Sequence, residues 1–351
     1  MIPVIIELRK TQWADVTVLA TAQHREMLDQ VLEFFCVSPD IDLNIMSPNQ
    51  SLTSLTSKLL GELDTIFQSS KPDVVLAQGD TTTAMVTSLA AFYHRIPFGH
   101  IEAGLRSHDI WSPFPEEANR LIATRLSRWH FAPTETSKLN LLRENIRESD
   151  ILVTGNTVID ALLMAAEKTL PLNVSLNASK RLILVTAHRR ENFGEPIRNI
   201  CLALREIAES NVDVEILFPV HPNPNVKTTA HQILGDCPNV ILCVPLEYAT
   251  FIAAMKRSYF IISDSGGVQE EAPALGKPVL VLREETERPE ALAMGVVKLV
   301  GSDKNRIVSE AQTLLSNDNA YRAMARGVSP YGDGQAAQRI VSCLASSFSF
   351  H

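Results

Sequence analysis

The sequence predicts an α/β protein made of two Rossmann-like, doubly wound halves. Three observations carry that expectation. Short β-branched runs alternate with longer helical patterns along the chain. Most of those runs are apolar almost throughout, as strands buried on both faces of a parallel sheet must be. The 351 residues, 45% of them apolar, are enough for two separate cores.

Taken in order, the strands of the first half are expected at residues 16–20, 74–78, 98–102, 129–132 and 151–154. Helical periodicity lies between them at 52–69, 84–94 and 117–127, the last with Leu121, Ile122, Ala123 and Leu126 on its inner face. Residues 162–180 show no strand pattern and carry Pro171, Asn173 and Asn177, which makes them the expected linker. The second half then has strands at 182–186, 215–220, 240–243, 259–263 and 279–282. No internal repeat or low-complexity segment interrupts the series.

Composition excludes several function classes. A net charge of −8 without a basic stripe argues against a nucleic-acid partner. No apolar run has the length to span a bilayer, and MIPVIIELRK has neither the basic start nor the long apolar stretch of a signal peptide, so a soluble cytoplasmic protein is expected. Five scattered cysteines, never in a Cys-x-x-Cys pair, and nine histidines without ligand spacing point to no disulfide framework and no metal.

The most informative stretch is YFIISDSGGVQEEAP at 259–273, where a buried run ends in Asp264, Ser265, Gly266 and Gly267 before an acid-bearing helical start. Glycines let the backbone approach a ligand, and the N–H groups of a helix start attract an anion. A plain strand-to-helix turn explains the glycines equally well. Glu270 and Glu271 tip the balance, because carboxylates beside a phosphate suit the hydroxyls of a ribose. His188, just after a strand with Arg189 and Arg190 beside it, and Arg288 add groups suited to a diphosphate. His221, between prolines in FPVHPNP, reads equally well as a turn residue.

In the first half, Asp80 and Glu102 each follow a strand and lie 22 residues apart, one strand-helix-strand step, so their strands are expected to be neighbours. Glu116 opens the next helix. Each acid alone is explained by solvation or capping; three at one strand-end rim point to proton transfer. The helix dipole favours the charged form of Glu116, so donation of a proton by it requires burial and nearby carboxylates to prevail. Gly332, Gly334 and Ala337 fit a dinucleotide pattern but follow Pro330 and Tyr331 and no strand, so they read as a turn opening the last helix, and no nicotinamide is called for.

The motifs AQHREMLDQVL, QGDTTTA, HIEAGLRS, PFPEEANR, PTETSKLNLLRENI, TGNTVIDAL, AHRRENFG, SDSGGVQEEAP, GKPVLVLREETERPEA and YGDGQA, in this order, resemble the bacterial non-hydrolysing UDP-N-acetylglucosamine 2-epimerases across essentially the whole chain. The resemblance implies a GT-B-like pair of Rossmann-like domains facing each other across a cleft. These would be residues 1–155, completed by a C-terminal helix at 331–351, and a UDP-binding domain at 156–330. It implies a homodimer with no cofactor, interconverting UDP-N-acetylglucosamine and UDP-N-acetylmannosamine for surface polysaccharides. UDP is eliminated to give 2-acetamidoglucal and then added back. It matches Asp80, Glu102 and Glu116 to the catalytic acids and His188 to a histidine on the diphosphate. Ser265, Gly266 and Gly267 match the phosphate turn, Glu271 the ribose carboxylate, Arg288 another nucleotide-site residue and Phe251 a position lining the uracil.

Two departures from the family pattern follow. Its members begin with a strand and a GTRPEAIK-type loop supplying an arginine and a lysine, ahead of the segment seen here as IPVIIEL. The resemblance therefore implies a misassigned or truncated start, or an impaired protein that turns over slowly. Leu246 stands where relatives often have glutamine near the uracil. Gln23 with Arg25 matches a segment tied to regulation by substrate in some relatives, with Glu26 where those have glutamine. Competing readings are a GT-B glycosyltransferase, which lacks a need for the three acids, a non-catalytic nucleotide-sugar binder, and a hydrolysing 2-epimerase.

Overall fold

The computed structural model describes every residue except 22–24, 46–49, 169, 287 and 349–351, and the side chains at 25–27 and 190 are likewise not described. Gln23 and the side chains of Arg25, Glu26 and Arg190 thus lie outside the described residues. The chain divides into two units, Met1–Ala161 with Tyr331–His351, and Leu162–Pro330. The division falls inside the helix Thr157–Ala166, so the segment read as a linker is helical at its start.

The first unit contains β1 (Leu19–Ala20), β2 (Ile41–Asp42), β3 (Val75–Gln78), β4 (Phe98–Ile101), β5 (Trp129–Ala132) and β6 (Ile151–Val153). Strands β3 to β6 form a parallel sheet in sequence order, and β1 pairs in parallel with β2. The expected strand at 16–20 is β-structured only at Leu19–Ala20. Among the described residues its one ladder partner is the two-residue β2, and towards β3 lies an apolar cavity of about 730 Å³ lined by Val16, Val18, Val74 and Leu76. β2 escapes the sequence reading because two residues, one of them Asp42, carry no pattern.

Local chemistry sets the helices. Ser51 caps Leu52–Ser70 by accepting the Ser54 N–H, and Leu55, Leu59, Leu63 and Phe67 recur every fourth residue as its buried stripe. That stripe packs with Val86, Ala90 and Phe98. On the other sheet face Ile101, Trp129 and Phe131 meet Ile340 and Leu344 of the last helix, Ala336–Ser347. Asp160 Oδ1 accepts the Ala337 N–H at 2.8 Å, tying that helix to this unit. A Cβ on Gly155 would lie 3.1 Å from the Gly332 Cα, so the two turns approach as only glycines allow.

The second unit is a six-stranded parallel sheet of β7 (Arg181–Thr186), β8 (Val214–Pro219), β9 (Val240–Cys243), β10 (Phe260–Ser263), β11 (Val279–Val281) and β12 (Val297–Leu299). Its order is β12-β11-β10-β7-β8-β9. β12 was not expected; three residues interrupted by exposed Lys298 do not read as a buried strand. Every other expected strand is present within one residue at each end, the first-half strand at 16–20 apart. The order reverses between β7 and β10, and the crevice at the carboxyl ends of such a pair is where open α/β sheets bind ligands.

Candidate active site

In the first unit, β3 and β4 are parallel neighbours, with Gln78 opposite Ile101, so Asp80 and Glu102 leave the same edge of the sheet. Gly79, at φ +80°, turns the chain after β3, and Thr81 caps the next helix by accepting the Ala84 N–H. Buried His100 donates from Nε2 to the Gly79 carbonyl at 2.8 Å; burial pushes its pKa down to about 4, so the ring is neutral. Asp80 Oδ2 accepts from Arg120 Nε at 3.0 Å and Nη2 at 2.7 Å, and the Asp80 carbonyl accepts from Asn119 Nδ2 at 2.9 Å.

Arg120 also donates from Nη1 to Glu117 Oε2 at 2.6 Å. Burial alone raises the Glu117 pKa, but the N–H groups of Ser107 and His108 together with the Arg120 guanidinium hold it below the usual carboxylate range. Glu117 is thereby committed to structure. Glu116, half-buried, is the first residue of the helix Glu116–Leu126, one turn before Arg120. Glu102 is held at φ +66°, a left-handed conformation costly for a side-chain-bearing residue and typical of functional sites. Its Oε1 accepts from Asn156 Nδ2 at 3.1 Å and its Oε2 from Gln78 Nε2 at 3.4 Å. Asp80 and Glu102 therefore share one rim, and the helix that begins with Glu116 is tied to it through Arg120.

In the second unit, β10 runs into Asp264 and Ser265, and the helix Gly266–Ala274 follows with Ser265 as an N-cap that makes no side-chain capping bond. This start has no acid in its first turn; Glu270 and Glu271 lie in the second, which corrects the expected acid-bearing start. A Cβ on Gly266 would meet Arg288 Cζ at 3.2 Å, whereas one on Gly267 would meet nothing nearer than Ser265 Oγ at 3.9 Å. Gly266 thus admits the guanidinium, and the surface above Gly267 is open to an incoming group.

Glu270 is buried and receives Arg288 Nε at 2.8 Å, so it is engaged within the protein. Burial, with Glu270 beside it, pushes the Glu271 pKa up to about 8. Asp264 is fully buried and faces His188, whose ring lies 6.4 Å from that of His221, centroid to centroid. Half-buried Phe251 lies on the helix Tyr248–Arg257, which also carries Tyr248, whose pKa is pushed up by burial and by the nearby Glu271 carboxylate.

The profile of the UDP-N-acetylglucosamine 2-epimerase family matches residues 6–345. The chain belongs to the UDP-N-acetylglucosamine 2-epimerase family. It is 53% identical to the UDP-N-acetylglucosamine 2-epimerase of Salmonella typhimurium over 99% of this chain and 95% of that one. The Escherichia coli K12 enzyme is also 53% identical, over 98% and 94%. Among solved structures, the Neisseria meningitidis UDP-GlcNAc 2-epimerase bound to UDP-GlcNAc superposes with a TM-score of 0.89 at 49% identity, covering 99% and 96%. Likeness to Acinetobacter baumannii MurG, with a TM-score of 0.59 at 17% identity over 98% and 94%, is one of fold alone and accords with a GT-B-like architecture.

Within this epimerase-family fold, several site residues were not legible in advance. Arg120 and Asn119 stand in the PEEANR motif, one turn after Glu116, and the i, i+3 spacing of Glu117 and Arg120 is the signal that marks the arginine. Asn156 in TGNTVIDAL and Asn192 in AHRRENFG reach their partners only through tertiary contact. No group of side chains able to hold a metal ion occurs among the described residues, and no helix there is long and apolar enough to cross a membrane.

Proposed function

We propose that the protein interconverts UDP-N-acetylglucosamine and UDP-N-acetylmannosamine without hydrolysis, by eliminating UDP and adding it back. The observation that carries this reading is the placement of Asp80 and Glu102 at neighbouring strand ends, with the helix of Glu116 tied to Asp80 through Arg120, in a chain half identical to named 2-epimerases. The C2 hydrogen is not acidic, so its removal has to accompany departure of the leaving group. A carboxylate of the trio takes the C2 proton, the C–H electrons form the C1–C2 double bond, and the C1–O electrons leave with UDP. UDP then returns to C1 while another acid of the trio delivers a proton to the opposite face of C2.

Cationic and N–H groups stabilise the leaving diphosphate. His188, Arg288 and the helix start at Ser265, Gly266 and Gly267 fill that role, with Glu271 on the ribose hydroxyls and Phe251 beside the uracil. A cytoplasmic homodimer, acting in surface polysaccharide synthesis, completes the reading. Incubation with UDP-N-acetylglucosamine in deuterated water, followed by proton NMR at C2, tests it. Deuterium at C2 of both epimers is expected; release of free sugar, or no exchange at all, overturns it.

A further inference from the structure

Asp264 and His188 form a unit whose geometry goes beyond a ligand contact. Asp264 follows β10 and is 0% exposed. Its Oδ2 accepts three donors, the backbone N–H groups of His188 and Arg189 and the Asn192 amide, each at 2.9 Å. Its Oδ1 lies 2.9 Å from His188 Nδ1. Three donors on one oxygen fix the carboxylate plane; Oδ1 is buried with no hydrogen bond from the described residues, and the imidazole at ion-pair distance is the proton source it meets. The His188 side chain is 46% exposed, so the ring is anchored at Nδ1 and open on its far edge.

We propose that Asp264 is a positioning residue: it keeps the proton of Nδ1 directed at its own carboxylate and leaves Nε2 as the ring atom presented to the diphosphate of the substrate. This rests on the reading of His188 as a diphosphate ligand. A ring bonded through Nδ1–H to a carboxylate takes its next proton at Nε2, and the resulting cation is stabilised by the anion behind it. Among the groups facing His188, Asp264 raises its pKa, burial and Arg189 lower it, and the net effect is upward. His221 is stacked alongside. Burial pushes Asp264 towards neutrality, but His188 and the N–H donors prevail and hold it ionised. The device thus supplies an Nε2–H donor where negative charge builds up on the leaving group.

The test begins with the unaltered protein carrying 15N-labelled histidine, whose ring nitrogens are followed by NMR through a pH titration. Nδ1–H in the neutral ring of His188 is expected; an Nε2–H tautomer overturns the proposal. Asp264→Asn turns an amide N–H towards Nδ1 and disfavours the imidazolium. The pH above which kcat/KM declines should fall by about one unit or more, and kcat/KM at pH 8 roughly tenfold, with UDP affinity weakened. An unchanged basic limb in a folded Asp264→Asn protein overturns the positioning role. His188→Ala separates the two readings. If it leaves UDP affinity and C2 exchange intact, the diphosphate role of His188 is wrong. If it impairs both, Asp264→Asn should add little further loss in that background, and full additivity counts against the unit.

Discussion

Arg120 holds Asp80 side-on, with Nε at 3.0 Å and Nη2 at 2.7 Å from the same oxygen, Oδ2. Its remaining arm reaches Glu117 at 2.6 Å, so one guanidinium ties the strand end of β3 to the helix that begins with Glu116. Arg120→Ala leaves buried Glu117 without its cation and should cost about 2 kcal/mol or more in urea unfolding. It should also lower kcat, since a misplaced reacting group costs up to about 100-fold. Arg120→Lys keeps the charge but loses the fork, and should recover stability better than turnover.

Asn156 is the second positioning contact, donating to Glu102 Oε1 at 3.1 Å while its own N–H bonds the Tyr331 carbonyl. Asn156→Ala keeps the backbone bond and removes two side-chain bonds, the one to Glu102 and the one in which Asn156 Oδ1 accepts the Val158 N–H. Turnover should fall roughly tenfold, the scale of one lost hydrogen bond to a charged group. UDP affinity, measured by calorimetry, should stay as it was; an equal loss in both would contradict a role specific to Glu102.

The two glycines of the helix start should respond differently to alanine. A Cβ on Gly266 presses on Arg288 Cζ at 3.2 Å, so Gly266→Ala should disturb the Arg288–Glu270 pair and show in the melting temperature as well as in UDP binding. Gly267→Ala meets nothing tighter than 3.9 Å. It should leave the melt unchanged and weaken UDP alone, by crowding the approach of the phosphate. Equal UDP affinity in the Gly267→Ala protein would place the phosphate elsewhere.

Glu271 links pH to both stability and binding. Its folded pKa of about 8 exceeds the ordinary value of 4.5, so between those values the folded state holds a proton that the unfolded state releases. Its contribution to stability is therefore full below about pH 4.5 and declines as pH rises towards 8. Glu271→Gln should flatten that slope in unfolding measured across pH 5–8. A ribose hydroxyl calls for the carboxylate form, so UDP binding near pH 7 should release a proton, detectable by calorimetry in buffers of different ionisation enthalpy. Glu271→Gln should weaken UDP roughly tenfold or more; binding without proton release would contradict the ribose contact.

Much of the site was legible because its signals are local. The run 259–263 ends where β10 ends, and the neighbouring strands inferred from the 22-residue step between Asp80 and Glu102 are paired in register. What escaped was the work done behind those residues. Asp264 reads in sequence as one more polar residue of an anion-binding turn, yet it is fully buried and directed at His188. Glu270 and Glu271 look interchangeable in the sequence, but one is paired with Arg288 and the other is raised to a pKa of about 8.

The sequence by itself determined the alternation of strands and helices, the caps and the turns, since each depends on side-chain period and backbone chemistry within a few residues. Tertiary structure decided the partners. Sheet order places β10 beside β7, which brings Asp264 to His188 across 76 positions of chain, as the fold brings Asn156 to Glu102 across 54. Such contacts are fixed by which strands lie next to one another and which buried polar groups still need a partner. No local pattern encodes either.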